Sequence, residues 1–534
     1  MASRVLWLLA AGGLLIGGAA GLAVYFGHVD PAPAPATAFQ PPKARPMKVA
    51  FSPEEFRQFL DAARKAEAIA DPLQRCLAYP DPPGTHWSAN TAAAYCHYLL
   101  AQEITEDAVR QLIEHGQVSE LQSRLASIES AALSDPQARD RLDGTFNIVF
   151  ANGSSDMRSL MDAWKRQSPD NAFALAASGT AYVAMAQAQR GSEYADKTPQ
   201  DAFDAMHRLL EQARSDLDRA ATLDPKLTVS YAQMLHVGRM DSDPAYAGAA
   251  AKRALSAAPA SYAIYARLIS MSQPKWGGSV ALMDHLIDLS QKHVAQNPLL
   301  GTLLSERGGG QQRVEDCQCD EFAEAELYRQ VLAEVPTLGV LMSAGWAAQE
   351  RSHMNLSVVY RSELLRFNPR ELDHREARVF GLIDTGQVDW ALEEGNALVK
   401  LAPRDENAYD ARGAAYQATG DTVHAAADFE EALRIAPSDA WTLSSLGDIY
   451  VQVNHDWAKG WDIANRLIQE GDYRGWMLRA DIQKAQPRDG LEQTIDDFVQ
   501  RYSADPSKQV FVERMQAMRG TSVNPAAAKG RNGS

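Results

Sequence analysis

Four prolines in the second half of the chain, Pro336, Pro369, Pro403 and Pro437, stand 33, 34 and 34 residues apart. A near-constant interval of this size marks a two-helix unit that cannot bury its apolar face alone and must stack on its neighbours. Proline closes each unit because it lacks a backbone N–H and its ring clashes with the preceding turn. The interval predicts an all-α stack of helical hairpins, which presents a long groove rather than an enclosed pocket.

The clearest unit is Glu406 to Asp439. Small residues (Gly413, Ala425, Ala432) fall where two helices must approach closely, and large ones (Tyr409, Tyr416, Phe429) where space must be filled. Gly420-Asp421 supplies the turn, and Pro437 ends the second helix. In register, these seven positions resemble the tetratricopeptide repeat family. The preceding frame, Leu372 to Asp405, keeps Ala391 and Pro403 but departs at Arg375, Val379 and Gly395. The frame after it, Ala440 to Tyr473, keeps Leu443, Gly447 and Tyr450 and departs at Lys459 and Arg466, as a terminal unit facing water would. Upstream, Ala213, Leu217, Ala220 and Pro225, then Tyr231, Leu235, Ala247, Ala251, Ala254 and Pro259, repeat the spacing more faintly. The next interval, to Pro298, lengthens to 39 residues around Pro274-Lys275-Trp276-Gly277-Gly278-Ser279.

Alanine is abundant and alternating strand patterns are lacking, so the rest of the 534 residues should also be helical. The expected layout is a membrane anchor or signal segment over 1–28 and a linker over 29–50. A helical domain with degenerate repeats follows over 51–335, then tetratricopeptide-like repeats over 336–506 and a largely disordered tail over 507–534. Val5 to Phe26 carries no charge over 22 residues, about the ~20 needed to cross the hydrocarbon core. This predicts a single transmembrane helix with the bulk of the chain in the periplasm; cleavage near Ala19 to Ala23 is the alternative. Pro31, Pro33, Pro35, Pro41, Pro42 and Pro46 make Asp30 to Pro46 an extended spacer.

Ser52-Pro53-Glu54-Glu55 signals a helix start, with Phe56, Phe59, Leu60 and Ala63 as its apolar stripe. Asp107 to Ile128 reads the same way, burying Val109, Leu112, Ile113, Leu121 and Leu125. Cys76 and Cys96 flank a Pro-rich turn and are expected to bridge two helices; a loop of this size contributes about 3 kcal/mol in the chain-entropy model. Cys317 and Cys319 have neither zinc-ribbon nor thioredoxin spacing, so a helix-entry loop is favoured over a metal site. With Cys76, Cys96 and Trp87, the Trp276-Gly277-Gly278 turn resembles an uncharacterised bacterial family of helical proteins, over roughly Phe51 to Pro298. That resemblance implies a bacterial protein and no activity.

No nucleophile elbow, phosphate loop or metalloprotease helix occurs, and no cofactor, metal or small-molecule substrate is evident. The pair Glu393-Glu394 reads as a solvated helix face. The net charge of −16 opposes a nucleic-acid footprint. In the repeat family the first helix of each pair lines the groove. Carried over, those positions are Trp346, then Asp373, Glu376, Phe380 and Asp384, then Asp410 and Gln417, then Trp441 and Asp448. The resemblance thus implies an acidic, aromatic groove for a basic or amphipathic peptide, in a scaffold rather than an enzyme. An envelope enzyme or metal protein with its site in the middle region, and an inhibitor of a basic toxin, are the alternatives.

Overall fold

The computed structural model describes residues 49–101, 103–191, 197–486 and 488–519. Every regular element among them is a helix or a helical turn. The apolar span Val5–Phe26 and most of the linker lie outside the described residues, and no described helix is long and apolar enough to cross a membrane. The chain divides between Glu371 and Leu372 into two compact units.

The first unit begins with helix Pro53–Glu67, capped by Ser52 and Glu55 in a reciprocal capping box. Its stripe of Phe56, Phe59, Leu60 and Ala63 is buried. Cys76, on helix Pro72–Ala78, is bridged to Cys96, on helix Ala89–Leu100. The helix expected over Asp107 to Ile128 is two helices, Glu106–Glu114 and Val118–Ser134. Gly116 between them takes φ +73°, which reverses the chain while the five expected apolar residues stay buried.

The faint upstream repeats are hairpins. Thr228–Met240 packs on Pro244–Ala257, and Gly238 allows it, because a Cβ there would lie 2.8 Å from that of Ala247. The longer interval holds a 3₁₀ turn, Pro274–Trp276, between helices Tyr262–Met271 and Val280–Gln291. Gly278 is required there, since a Cβ would meet the Ser272 carbonyl oxygen at 2.1 Å.

The hairpin Leu338–Glu350 and Met354–Phe367 also belongs to the first unit, so the boundary expected at 335/336 is displaced by one hairpin. Its end is sewn to the N-terminal helices. Arg366 Nε donates to the Cys76 carbonyl at 3.0 Å, and Phe367 packs on Trp87 and Tyr95 with ring centroids 6.3 and 4.8 Å apart.

The second unit stacks four hairpins. They are Leu372–Asp384 with Val388–Leu401, Glu406–Thr419 with Thr422–Ile435, Ala440–Asp448 with Trp457–Gln469, and Tyr473–Ala485 with Leu491–Tyr502. Asp405, Asp421, Asp439, Asp456 and Asp472 each accept a backbone N–H at the start of a helix. Part of the chain's negative charge is therefore spent on orphan helix donors. Gly413 and Phe429 fit as their spacing predicts: a Cβ on Gly413 would lie 2.7 Å from the fully buried Phe429 ring. The disordered tail expected from 507 is corrected over its first part. Helix Gln509–Ala517 caps the stack, burying Val512, Met515 and Met518 against Ile495 and Phe498.

Candidate functional site

In the second unit the first helices of successive hairpins carry the expected groove residues. Asp373, Asp384, Gln417 and Asp448 are exposed there. Glu376 is partly buried, and its pKa is pushed up to about 7, first by burial and then by the charges of Asp373, Asp405 and Asp410.

Asp410 differs from that expectation. It is 6% exposed, and Thr442 Oγ1, on the next hairpin, lies 2.8 Å from each of its carboxylate oxygens. Burial, opposed by that hydrogen bond and assisted by Asp439 and Glu406, raises Asp410 to about 7 as well. Asp410 thus joins neighbouring hairpins and contributes to the surface through its charge rather than as an open contact.

The aromatic anchors are corrected too. Phe380 and Trp441 meet edge to face at 5.5 Å, and Trp441 meets Phe429 likewise at 5.7 Å. Both are half-buried and held by the core of the unit, leaving only part of each ring exposed. Trp346, in the first unit, is 40% exposed, but the buried Arg361 guanidinium lies 4.2 Å from its ring centroid.

Asp405 was not among the expected groove residues. It recurs with Asp439 at 34 residues, each closing a repeat frame, and in the structure each caps the helix that opens the next unit. Glu394, expected on a solvated face, is 4% exposed and pairs with Arg375 at 2.6 Å and Arg378 at 2.9 Å. This pairing explains why Arg375 occupies a position where the repeat pattern has an aromatic.

Cys317 and Cys319 are bridged to each other. Their sulfurs and a Glu324 oxygen lie within 4.8 Å of one another, a spacing that suits a metal. The donor chemistry does not suit one. The sulfurs are engaged in the bridge, and the buried Glu324 is paired with Arg351 at 3.2 Å. Arg351 also donates to the Cys317 carbonyl at 2.6 Å, which ties the loop to helix Leu338–Glu350.

No protein-family model matches the chain. No curated protein matches it either. Among solved structures it is similar to the human IFIT1 dimer with PPP-AAAA, at 12% identity and a TM-score of 0.29, over 88% of this chain and 96% of that one. It is similar also to the human IFIT1 dimer with m7Gppp-AAAA, at 12% identity and a TM-score of 0.33 over the same shares. The helical architecture described above rests on the chain's own elements.

Proposed function

We propose that this chain is a helical-repeat scaffold whose second unit holds a basic peptide segment of a partner protein. The observation that carries this reading is the crowding of Glu376 with Asp373, Asp405 and Asp410, whose charges add to burial in raising Glu376 to about 7. Carboxylates that repel one another across neighbouring helices gain from a bound cation, and lysine or arginine side chains supply one without new chemistry. The exposed parts of Phe380 and Trp441 offer the segment an apolar foothold beside that charge. The Cys76–Cys96 bridge supports an oxidising compartment, and Val5–Phe26 supports attachment to a membrane through the N-terminus.

The test is fluorescence anisotropy of the full chain against a peptide set varying in Lys and Arg content. Basic peptides should bind best, with affinity falling as salt rises. Asp373→Asn with Glu376→Gln should weaken binding about tenfold. No preference for basic peptides, or unchanged binding by the double variant, would overturn the reading.

A further inference from the structure

The first unit contains a partly open cavity of about 380 Å³ that the sequence did not announce. It lies among helices Ala89–Leu100, Arg141–Val149, Thr228–Met240 and Tyr262–Met271 and the 3₁₀ segment from Pro298. Its wall is an unusual set. Tyr98 and Tyr262 meet edge to face at 5.3 Å, Gln233 and Asp143 are buried, and Arg267 adds a guanidinium.

Arg267 makes no hydrogen bond or ion pair with any described residue. Its electrostatic neighbours make this costly. Burial and then Arg267 hold His236 well below the ordinary imidazole range, with Arg239 adding to the effect. Arg239 itself is pushed down to about 10 by burial, Arg267 and Arg190. Burial lowers Arg267 as well, opposed by Tyr98 alone. In a chain of net charge −16, the arginine that lines this cavity is thus left without a carboxylate partner.

Two acids do reach the wall, and neither offsets Arg267. Asp143 is 4% exposed; its Oδ2 accepts from Thr228 at 2.6 Å, while its Oδ1 is buried without a partner. Burial, then the charge of Asp140, raises its pKa well above the ordinary carboxylate value, which favours its protonated form. Glu306 accepts from Thr337 at 2.7 Å and is likewise raised by burial.

The position of Arg267 is built rather than incidental. Asp140, from a left-handed turn at φ +55°, accepts from Ser261 Oγ at 2.9 Å, from the backbone N–H groups of Tyr262 and Ala263, and from Asn297 Nδ2 at 2.6 Å. That carboxylate pins the start of the helix carrying both Tyr262 and Arg267.

We propose that this cavity binds a small organic monocarboxylate, with Arg267 as the counter-cation and the Tyr98, Tyr262, Gln233 and Asp143 side chains meeting the rest of the molecule. A guanidinium pairs with a carboxylate through two parallel N–H donors. A single guanidinium supplies one positive charge, which matches a monocarboxylate and leaves a phosphate dianion half-compensated. The volume suits a small metabolite, and the phenol rings supply apolar faces with polar tips.

The test titrates full-length protein calorimetrically with monocarboxylic acids from acetate to phenylpropionate, each paired with its primary amide, and with inorganic phosphate. At least one acid should bind about tenfold more tightly than its amide. Arg267→Gln should abolish that binding, and Arg267→Lys should retain only part of it. Because Arg267 lacks a partner, Arg267→Gln should leave the unliganded protein at least as resistant to heat, which separates loss of binding from loss of fold. Failure of every acid, equal binding of acid and amide, phosphate binding as tightly as the best acid, or full binding by Arg267→Gln would each overturn the proposal. None of these outcomes bears on peptide binding by the second unit.

Discussion

Thr442 Oγ1 lies 2.8 Å from both carboxylate oxygens of Asp410, so a hydroxyl on one hairpin closes over an acid on the hairpin before it. Thr442 is fully buried, and Asp410 nearly so. Thr442→Val keeps the shape and deletes the donor. An acceptor left unsatisfied in the interior costs about 1–3 kcal/mol, and more when charged. The variant should therefore lose stability by that amount, with a larger loss at pH 8 than at pH 5. Urea unfolding followed by circular dichroism at the two pH values measures both.

Glu376 and Asp410 also make the second unit sensitive to pH. Folded, each keeps its proton up to about 7. Unfolded, each releases it near pH ~4. Between those limits the folded state binds more protons than the unfolded one, so stability falls as pH rises from ~4 to ~7 and then levels off. Amide exchange of helices Leu372–Asp384 and Glu406–Thr419, corrected for the intrinsic rate, should show protection weakening over that window. Glu376→Gln should flatten the slope, because it removes one proton from the balance and one charge from beside Asp410.

Gly413→Ala tests the closest helix contact of the clearest repeat. The added methyl would lie 2.7 Å from the Phe429 ring, which is fully buried and has no room to retreat. Overpacking of this kind costs about 1–3 kcal/mol. Adding Phe429→Leu removes the ring atoms in conflict, so the double variant should lose less than the sum of the single ones. A thermal melt of the four proteins completes the cycle.

What could be read in advance follows from range. The proline interval, the Gly413–Phe429 contact and the burial of Ala425 and Ala432 depend on neighbours within one hairpin, where spacing fixes geometry. The capping box at Ser52 and Glu55 is local for the same reason. Asp410 and Glu394 were misjudged because an acid on a helix is the same letter whether water or a partner faces it. The partner of Asp410, Thr442, lies on the next hairpin, whereas Arg375 and Arg378 share the hairpin of Glu394, where spacing permits the contact without showing which face water reaches. Arg267 lay further from view. Its cavity joins elements as distant as Tyr98 and Leu303, and the decisive fact about it is a missing partner, which no spacing encodes.

Glu394 carries the sharpest stability prediction. Its Oε1 lies 2.6 Å from an Arg375 nitrogen and 2.9 Å from one of Arg378, and Arg378 is fully buried beside Trp390. Two guanidinium groups share one carboxylate, so the interaction is more than a surface pair. Glu394→Gln preserves size and removes the shared counter-charge, and breaking a buried pair from one side costs about 3–5 kcal/mol. If electrostatics dominate, Glu394→Leu with Arg375→Leu and Arg378→Met should recover most of that loss, because no buried charge then lacks its partner. If the triple variant is instead the least stable, the arginine stems hold the hairpin together by packing, and the carboxylate serves mainly to position them. Denaturation midpoints of the wild-type, single and triple proteins at one salt concentration decide between the two.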